Sequence, residues 1–329
     1  MPHTDLVEQV WYGEHKLAYV LAPLSWLYKL IIYIRRFAYG CGLIPVRRFS
    51  VPVIVIGNIT VGGTGKTPLT IWLANYLKNR GMKPGIVSRG YGVRSEKPQQ
   101  VRPDSNPFLV GDEPVLIARQ TRCPVAIAGN RVQAVTELLE HYDLNVIISD
   151  DGLQHLPLYR DIEIAVIDGD RRFGNGRCLP AGPLREPVST LERVDLVIAN
   201  SKAGKGEHVM EYESGELKSL VDPDKTMELA GLRGQSVHAV VGIGNPARFI
   251  SRLRREGLQV IKHIFPDHHP YQRSDLDFGD DLPVVMTEKD AVKCEGFATS
   301  RCWYLPVFAK PAETFIFRLD KCLAEINSG

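Results

Sequence analysis

Short apolar runs alternating with helical periodicity fill the chain from residue 51 onward and predict an α/β protein. Candidate strands are Val53–Ile56, Gly85–Val87, Val125–Ile127, Val146–Ile148, Ile162–Ile167 and Leu196–Ile198. Most are apolar on successive residues, as expected of parallel strands covered by helices on both faces. Leu69, Trp72, Leu73, Tyr76 and Leu77 recur on one face of a helix that Gly81 ends. Polar residues dominate from Ser201 to Leu229, after which the alternation resumes. The pattern divides the chain into a mostly parallel sheet domain at 46–205, a linker with room for a short hairpin at 206–229, and a smaller α/β domain at 230–329.

Residues 1–45 follow another pattern. LAYVLAPLSWLY lies between Lys16 and Lys29, then LIIYI, then Arg35 and Arg36. A membrane-crossing helix needs about 20 apolar residues, and Pro23 and Lys29 interrupt this run. Its tyrosines, Trp26 and flanking cations suit a helix lying in a membrane interface, with packing on the protein's own core as the alternative. Asp5, Glu8 and Glu14 stand where a secretory signal would be basic, so no such signal is expected.

Composition changes this picture little. The 329 residues are 44% hydrophobic and 24% charged, which is ordinary for a globular protein. A net charge of +2 gives no reason to expect a nucleic-acid partner, and nothing points to a protein partner. Six cysteines without a C-x-x-C pair suggest neither zinc nor a disulfide framework and fit a reducing cytoplasm.

Candidate chemistry sits at the strand ends, where open α/β sheets bind ligands. In VIVIGNITVGGTGKTP, residues 53–68, a buried strand runs into a glycine-rich loop and then a helix. Such a loop turns backbone N–H groups toward phosphates, and the helix N-terminus adds partial positive charge. Thr60, Val61, Gly62, Gly63, Thr64, Gly65, Lys66 and Thr67 are therefore candidate nucleotide-binding residues, with Lys66 on the β/γ-phosphates and Thr67 on Mg²⁺. Thr60 occupies the position where the common P-loop pattern has its first glycine.

The strand at 145–149 ends in Asp150 and Asp151, whose adjacency is costly unless a cation offsets it; Mg²⁺ is the favoured reading and a plain strand-end turn the alternative. Asp112 and Glu113 precede a helix expected at Pro114–Arg119, as dipole-complementing acids or as a general base. Arg89, Arg131 and Arg185 follow glycine-bearing loops and are candidates for phosphate binding or for surface ion pairs. Glu186 is a further candidate metal ligand. Near the end of the chain, Asp267, His268 and His269 suit an acid/base or orienting group, and Thr287 suits a helix cap reaching Asp290.

Taken in order, GNITVGGTGKTP, SRGYG, GDEP, AGNR, DDGLQH, LPAGPLRE, FPDHHPY and TEKDAVK resemble the tetraacyldisaccharide 4′-kinase family, the lipid A 4′-kinases of Gram-negative bacteria, over nearly the whole chain. Thr60 belongs to that family's own form of the loop. The resemblance implies a P-loop NTPase-like α/β fold with a second, smaller α/β domain, an interfacial N-terminal helix and a cleft between the domains. It implies ATP and Mg²⁺ as cofactors and an amphiphilic lipid A disaccharide as acceptor. It also implies peripheral residence at the cytoplasmic face of the inner membrane. Asp112 would be the general base, tuned by His268, and Lys66 would neutralise charge on the transferring group. Asp150, Asp151 and Glu186 would surround Mg²⁺ with Thr67, while His155, Arg131 and Arg185 would line the site. A P-loop ATPase acting as a switch is the rival, but such proteins carry an extra loop lysine where Val61 stands here. A GTPase is disfavoured because NSKA at 200–203 lacks the aspartate that reads guanine.

Overall fold

The computed structural model describes residues 4–90, 97–222 and 224–328. The chain opens with helices α1 (Thr4–Tyr12), α2 (Leu17–Val20) and α3 (Ala22–Gly40). The core follows as β1 (Val53–Gly57), α4 (Lys66–Asn79), β2 (Pro84–Ser88), β3 (Gln99–Val101), α5 (Pro107–Val110), α6 (Asp112–Thr121), β4 (Val125–Ile127), α7 (Arg131–His141), β5 (Val146–Ser149), β6 (Ile162–Asp168), β7 (Leu196–Asn200) and β8 (His208–Ser214). Next come β9 (Leu217–Ser219), β10 (Thr226–Met227), β11 (Ser236–Val241), α8 (Pro246–Arg255), β12 (Gln259–Ile264), β13 (Val284–Thr287), α9 (Glu288–Cys294) and β14 (Cys302–Leu305). Strand β15 (Val307–Pro311) and helix α10 (Glu313–Ser328) close the chain.

Two sheets result. The nine-stranded sheet has the order β15-β8-β7-β6-β1-β5-β2-β4-β3, parallel except for its two edge strands. Its apolar runs are unbroken because both faces are covered. Ile54 and Ile56 pack with Leu69, Leu73 and Leu77 of α4, whereas Val53 and Val55 pack with Ala134, Val135 and Leu138 of α7. Each such burial contributes about 1.5–3 kcal/mol. The six-stranded sheet has the order β10-β9-β14-β13-β11-β12, with β14, β13, β11 and β12 parallel. All six strands expected in the first domain are present.

The sheets divide the chain differently from the expected linker at 206–229 and unit at 230–329. Strand β8 belongs to the large sheet, while β9 and β10 belong to the small one. After β14 the chain returns: β15 pairs antiparallel with β8, and Phe315 and Leu319 of α10 join the core of α4. Strand β8 reads as polar because only one side chain in its stretch is fully buried. Its open edge would pair with another chain were β15 not covering it.

Helix α3 buries a narrow stripe. Ala22 and Ser25 are buried, and Ser25 Oγ donates to the Cys178 carbonyl at 2.6 Å while accepting the Ala181 N–H at 3.0 Å. Tyr28 donates to the Arg185 carbonyl, and Arg36 ion-pairs with Glu186. Positions 22, 25, 28 and 36 fall on one helix face. The opposite face holds Trp26, Leu27, Leu30, Ile34 and Phe37, each more than half exposed. Packing on the core therefore uses the polar stripe and leaves the apolar face open. Among the described residues, no helix is long and apolar enough to cross a membrane.

Candidate active site

The glycine loop joins β1 to α4 at the centre of the large sheet, where β1 is flanked by β5 and β6. Gly65 has φ +90°, and a Cβ there would lie 1.8 Å from the Tyr212 hydroxyl, so only glycine fits. Neighbours brace the loop: Asn200 Nδ2 donates to the Thr64 carbonyl at 2.7 Å, and the Val61 N–H donates to Pro183 at 2.8 Å. The Thr64 hydroxyl is buried with no hydrogen-bond partner, an arrangement that a phosphate oxygen would satisfy. The loop thus fits a nucleoside triphosphate. Lys66 and Thr67 form the first turn of α4.

Asp150 and Asp151 follow β5 directly and meet different surroundings. Asp150 is fully buried and accepts a hydrogen bond from Thr70 Oγ1 at 2.8 Å. Burial first, then the charges of Glu113 and Asp151, push its carboxyl up to about 7. Burial also opposes ionisation of Asp151, but the cations Lys66 (3.5 Å) and Arg185 (3.1 Å) outweigh it and hold that carboxyl below its ordinary value. Arg131 donates to the Asp151 carbonyl at 2.8 Å. Asp150 is thus a buried carboxylate short of positive charge beside the phosphate loop, which suits a divalent cation held by one or two carboxylates and phosphate oxygens.

Glu186 lies beside the phosphate loop, its N–H donating to the Ile59 carbonyl at 3.3 Å. It is buried, paired with Arg36, and accepts hydrogen bonds from Gln154 at 3.0 Å and Thr190 at 3.4 Å. Among the described residues, Asp150, Asp151 and Glu186 do not form a group close enough to share one ion. His155 lies near Arg131, Arg160, Arg35 and Arg89; burial and then these cations lower its imidazole to about 4, and its buried Nε2 has no hydrogen-bond partner. Of the SRGYG stretch, Tyr91 and Gly92 lie outside the described residues.

The other half of the site bridges the two sheets. Helix α6 begins at Asp112, two residues before the expected start, so Asp112 and Glu113 occupy its first turn. Asp112 is buried, and the ring Nδ1 of His268, from the loop after β12, lies 3.0 Å from Oδ1 and 3.1 Å from Oδ2. Burial alone would raise the Asp112 carboxyl; the His268 hydrogen bond and the charges of Lys289, His268 and Lys293 hold it well below the usual range. Burial likewise opposes a charged His268, yet the bond to Asp112 raises its imidazole. Lys289 reaches Glu113 at 2.8 Å and Asp267 at 3.0 Å. Above the phosphate loop, a Cβ on Gly244 would come within 2.9 Å of the Gly63 nitrogen and 3.8 Å of an Asp267 carboxylate oxygen. The loops of the small sheet therefore lie directly over the nucleotide loop.

The motif reading named Asp112 and, across the cleft, Asp267 and His268, but not the two lysines of α9. Lys289 and Lys293 were passed over because Thr287 read as a cap, which it is, accepting the Asp290 N–H at 3.2 Å. Their spacing of four residues was the available signal, since it puts both ammonium groups on one helix face. Asn200 was read within NSKA, and Tyr212 and Arg248, which donates to Asn200 Oδ1 at 2.8 Å, carried no motif.

The glycine loop and its carboxylates lie under the loops of the small sheet, whose side also carries the partners of Asp112. The fold and site are those of a P-loop phosphotransferase. Comparison with known proteins narrows the class: residues 17–324 match the family model for tetraacyldisaccharide-1-P 4′-kinase. The chain belongs to that family. It is 51% identical to the tetraacyldisaccharide 4′-kinase of Nitrosococcus oceani, over 93% of this chain and 90% of that one. It is 52% identical to the Alkalilimnicola ehrlichii protein of the same name, over 94% of each chain. A crystal structure of LpxK from Aquifex aeolicus in complex with ATP superposes with TM-score 0.79 at 29% identity, covering 94% of this chain and 99% of that one.

Proposed function

We propose that Asp112 is the general base, that Thr67, Asp150 and Asp151 hold Mg²⁺, and that Lys66 neutralises the transferring group, in an enzyme seated on a membrane. The reaction is transfer of the ATP γ-phosphoryl group to the 4′-hydroxyl of a tetraacyldisaccharide 1-phosphate in lipid A biosynthesis. The contact between Asp112 and His268 carries the assignment of roles. It supplies a buried, ionised acceptor beside the phosphate site but outside the phosphate loop. Because phosphoryl transfer passes through a loose transition state, such a carboxylate chiefly orients the attacking hydroxyl and takes its proton late. Bound Mg²⁺ would neutralise charge on the β- and γ-phosphate oxygens.

Arg131 and Arg185 fix Asp151 from two sides and, with His155, line the nucleotide half of the site. Glu186 is a further candidate for the metal and ties α3 to the site through Arg36. The apolar face of α3 supports binding at the cytoplasmic face of the inner membrane, because an amphiphilic acceptor leaves the bilayer at about 0.8 kcal/mol per CH₂. The two sheets then act as separate units closing over the nucleotide.

The test is an assay with γ-labelled ATP, Mg²⁺ and tetraacyldisaccharide 1-phosphate in detergent. Label should appear in the lipid. Label released only as free phosphate, at one rate with or without lipid, would support the switch ATPase instead.

A further inference from the structure

Lys293 is the second cation on Asp112. Its side chain is 4% exposed, and its ammonium lies 3.4 Å from Asp112 Oδ2 and 3.4 Å from Asp290 Oδ1, beside the Tyr271 ring at 4.9 Å. None of these contacts meets hydrogen-bond geometry, so the ammonium is buried without a directional partner. Removing a charge from water costs several kcal/mol, and among the described residues the two carboxylates and the Tyr271 ring offset that cost.

Asp290 alone does not explain the arrangement. It already accepts hydrogen bonds from the Gly242 N–H at 3.0 Å, the Tyr271 hydroxyl at 3.1 Å and the Thr287 hydroxyl at 2.6 Å. The charged groups acting on Asp112 are His268, Lys289 and Lys293. Lys289 is engaged by Glu113 and Asp267. Among the described residues Asp267 also faces His268 at 3.9 Å, so the cluster holds the carboxylates Asp112, Asp290, Glu113 and Asp267 against the cations His268, Lys289 and Lys293. Asp112 belongs to the large sheet's helix α6, where it accepts the Glu113 N–H at 2.8 Å, and the cations that act on it come from the small sheet's side of the cleft.

We propose that Lys293 is a positioning residue for phosphoryl transfer, its buried ammonium holding the Asp112 carboxylate charged and in register with His268 while the two sheets are docked. Lys293 touches no substrate in this account; it acts through Asp112. Taking its charge away leaves the carboxylates further in excess of the cations, and that excess is relieved most readily by protonating a carboxylate. An opposite charge at this range moves a carboxyl by about 1–3 pH units. Asp112 lies below its ordinary value, so loss of Lys293 moves it up, and the acid limb of the rate profile moves up with it.

The experiment measures kcat and the ATP KM for Lys293→Met, Lys293→Gln and Lys293→Arg from the most acidic pH at which the protein stays folded up to weakly alkaline pH, with thermal melting at each pH to confirm folding. In Met and Gln variants the acid limb should rise by about 1–3 pH units, with rate recovering toward alkaline pH and ATP KM unchanged. The Arg variant should return the limb toward its wild-type position. Should Met fail to fold, Gln, which keeps polar contact with both carboxylates, carries the comparison with Arg. An equal loss at every pH in the folded neutral variants, with the limb unmoved, overturns the proposal. The proposal rests on Asp112 as the base. Wild-type turnover in Asp112→Asn would remove that reading itself, whereas an inactive Asp112→Asn beside an unmoved limb overturns only the role of Lys293.

Discussion

Asp150→Asn should make the metal-free protein more stable at alkaline pH while abolishing its use of Mg²⁺. The folded carboxyl is raised from 3.8 to about 7, a shift of about 3 units. One unit corresponds to about 1.4 kcal/mol, so ionising this buried group costs the fold at most about 4 kcal/mol. Because the folded value is raised, stability is full below the unfolded value and is lost as pH rises through about 7. Asparagine is neutral at every pH and can still accept the Thr70 hydrogen bond. The measurement is thermal melting in EDTA, with the variant drawing ahead of wild type as pH rises from about 5 to 8. At about 2 °C per kcal/mol the gap should reach several degrees. Mg²⁺ with ATP should stabilise wild type and barely touch the variant. Parallel pH profiles would refute the reasoning, since they would mean that Asp150 does not carry the cost of the missing cation.

Three further outcomes follow from the geometry. Lys66→Ala and Asp112→Ala should each lower turnover by orders of magnitude, roughly 10²–10⁴-fold for the base, with ATP titration unchanged for Asp112→Ala; normal turnover there would remove it as the base. Gly65→Ala places a Cβ 1.8 Å from the Tyr212 hydroxyl at φ +90°, so ATP affinity should fall at least about tenfold; unaltered ATP titration would show that the loop is not held as described. Leu27→Ser, Ile31→Ser and Ile34→Ser together alter exposed residues of α3 and should change melting little, yet reduce co-sedimentation with phospholipid vesicles. Undiminished co-sedimentation would sink the interfacial role of that face.

Legibility in the sequence followed sequence distance. The phosphate loop, the carboxylates after β5 and the parallel core are local patterns: a strand, its next few residues and the helix after them. Helix α3 was legible as apolar and interrupted, but which face it buried was not. Its docking stripe uses Ser25, Tyr28 and Arg36, polar residues whose partners Cys178, Ala181, Arg185 and Glu186 lie about 150 residues away. The same distance hid the partner of Glu186, a buried acid beside the phosphate loop that pairs with Arg36. The return of β15 and α10 to the large sheet left no local trace, because an edge strand with alternating exposure looks alike in either sheet.

What could not be read locally is also what makes the site conditional. Lys66, Thr67, Asp150 and Asp151 all belong to the large sheet and its loops, so the nucleotide half is complete without the small one. Asp112 belongs to the large sheet as well, but His268, Lys289 and Lys293 reach it from the other side of the cleft. Without them burial would dominate, and its carboxyl would rise toward the neutral form. Arg248 and Gly244 make the contact in the reverse direction, meeting Asn200 and Gly63 at the phosphate loop. Docking of the small sheet therefore does two things at once: it covers the glycine loop, and it buries the Asp112 carboxylate while supplying the cations that keep it ionised in that burial.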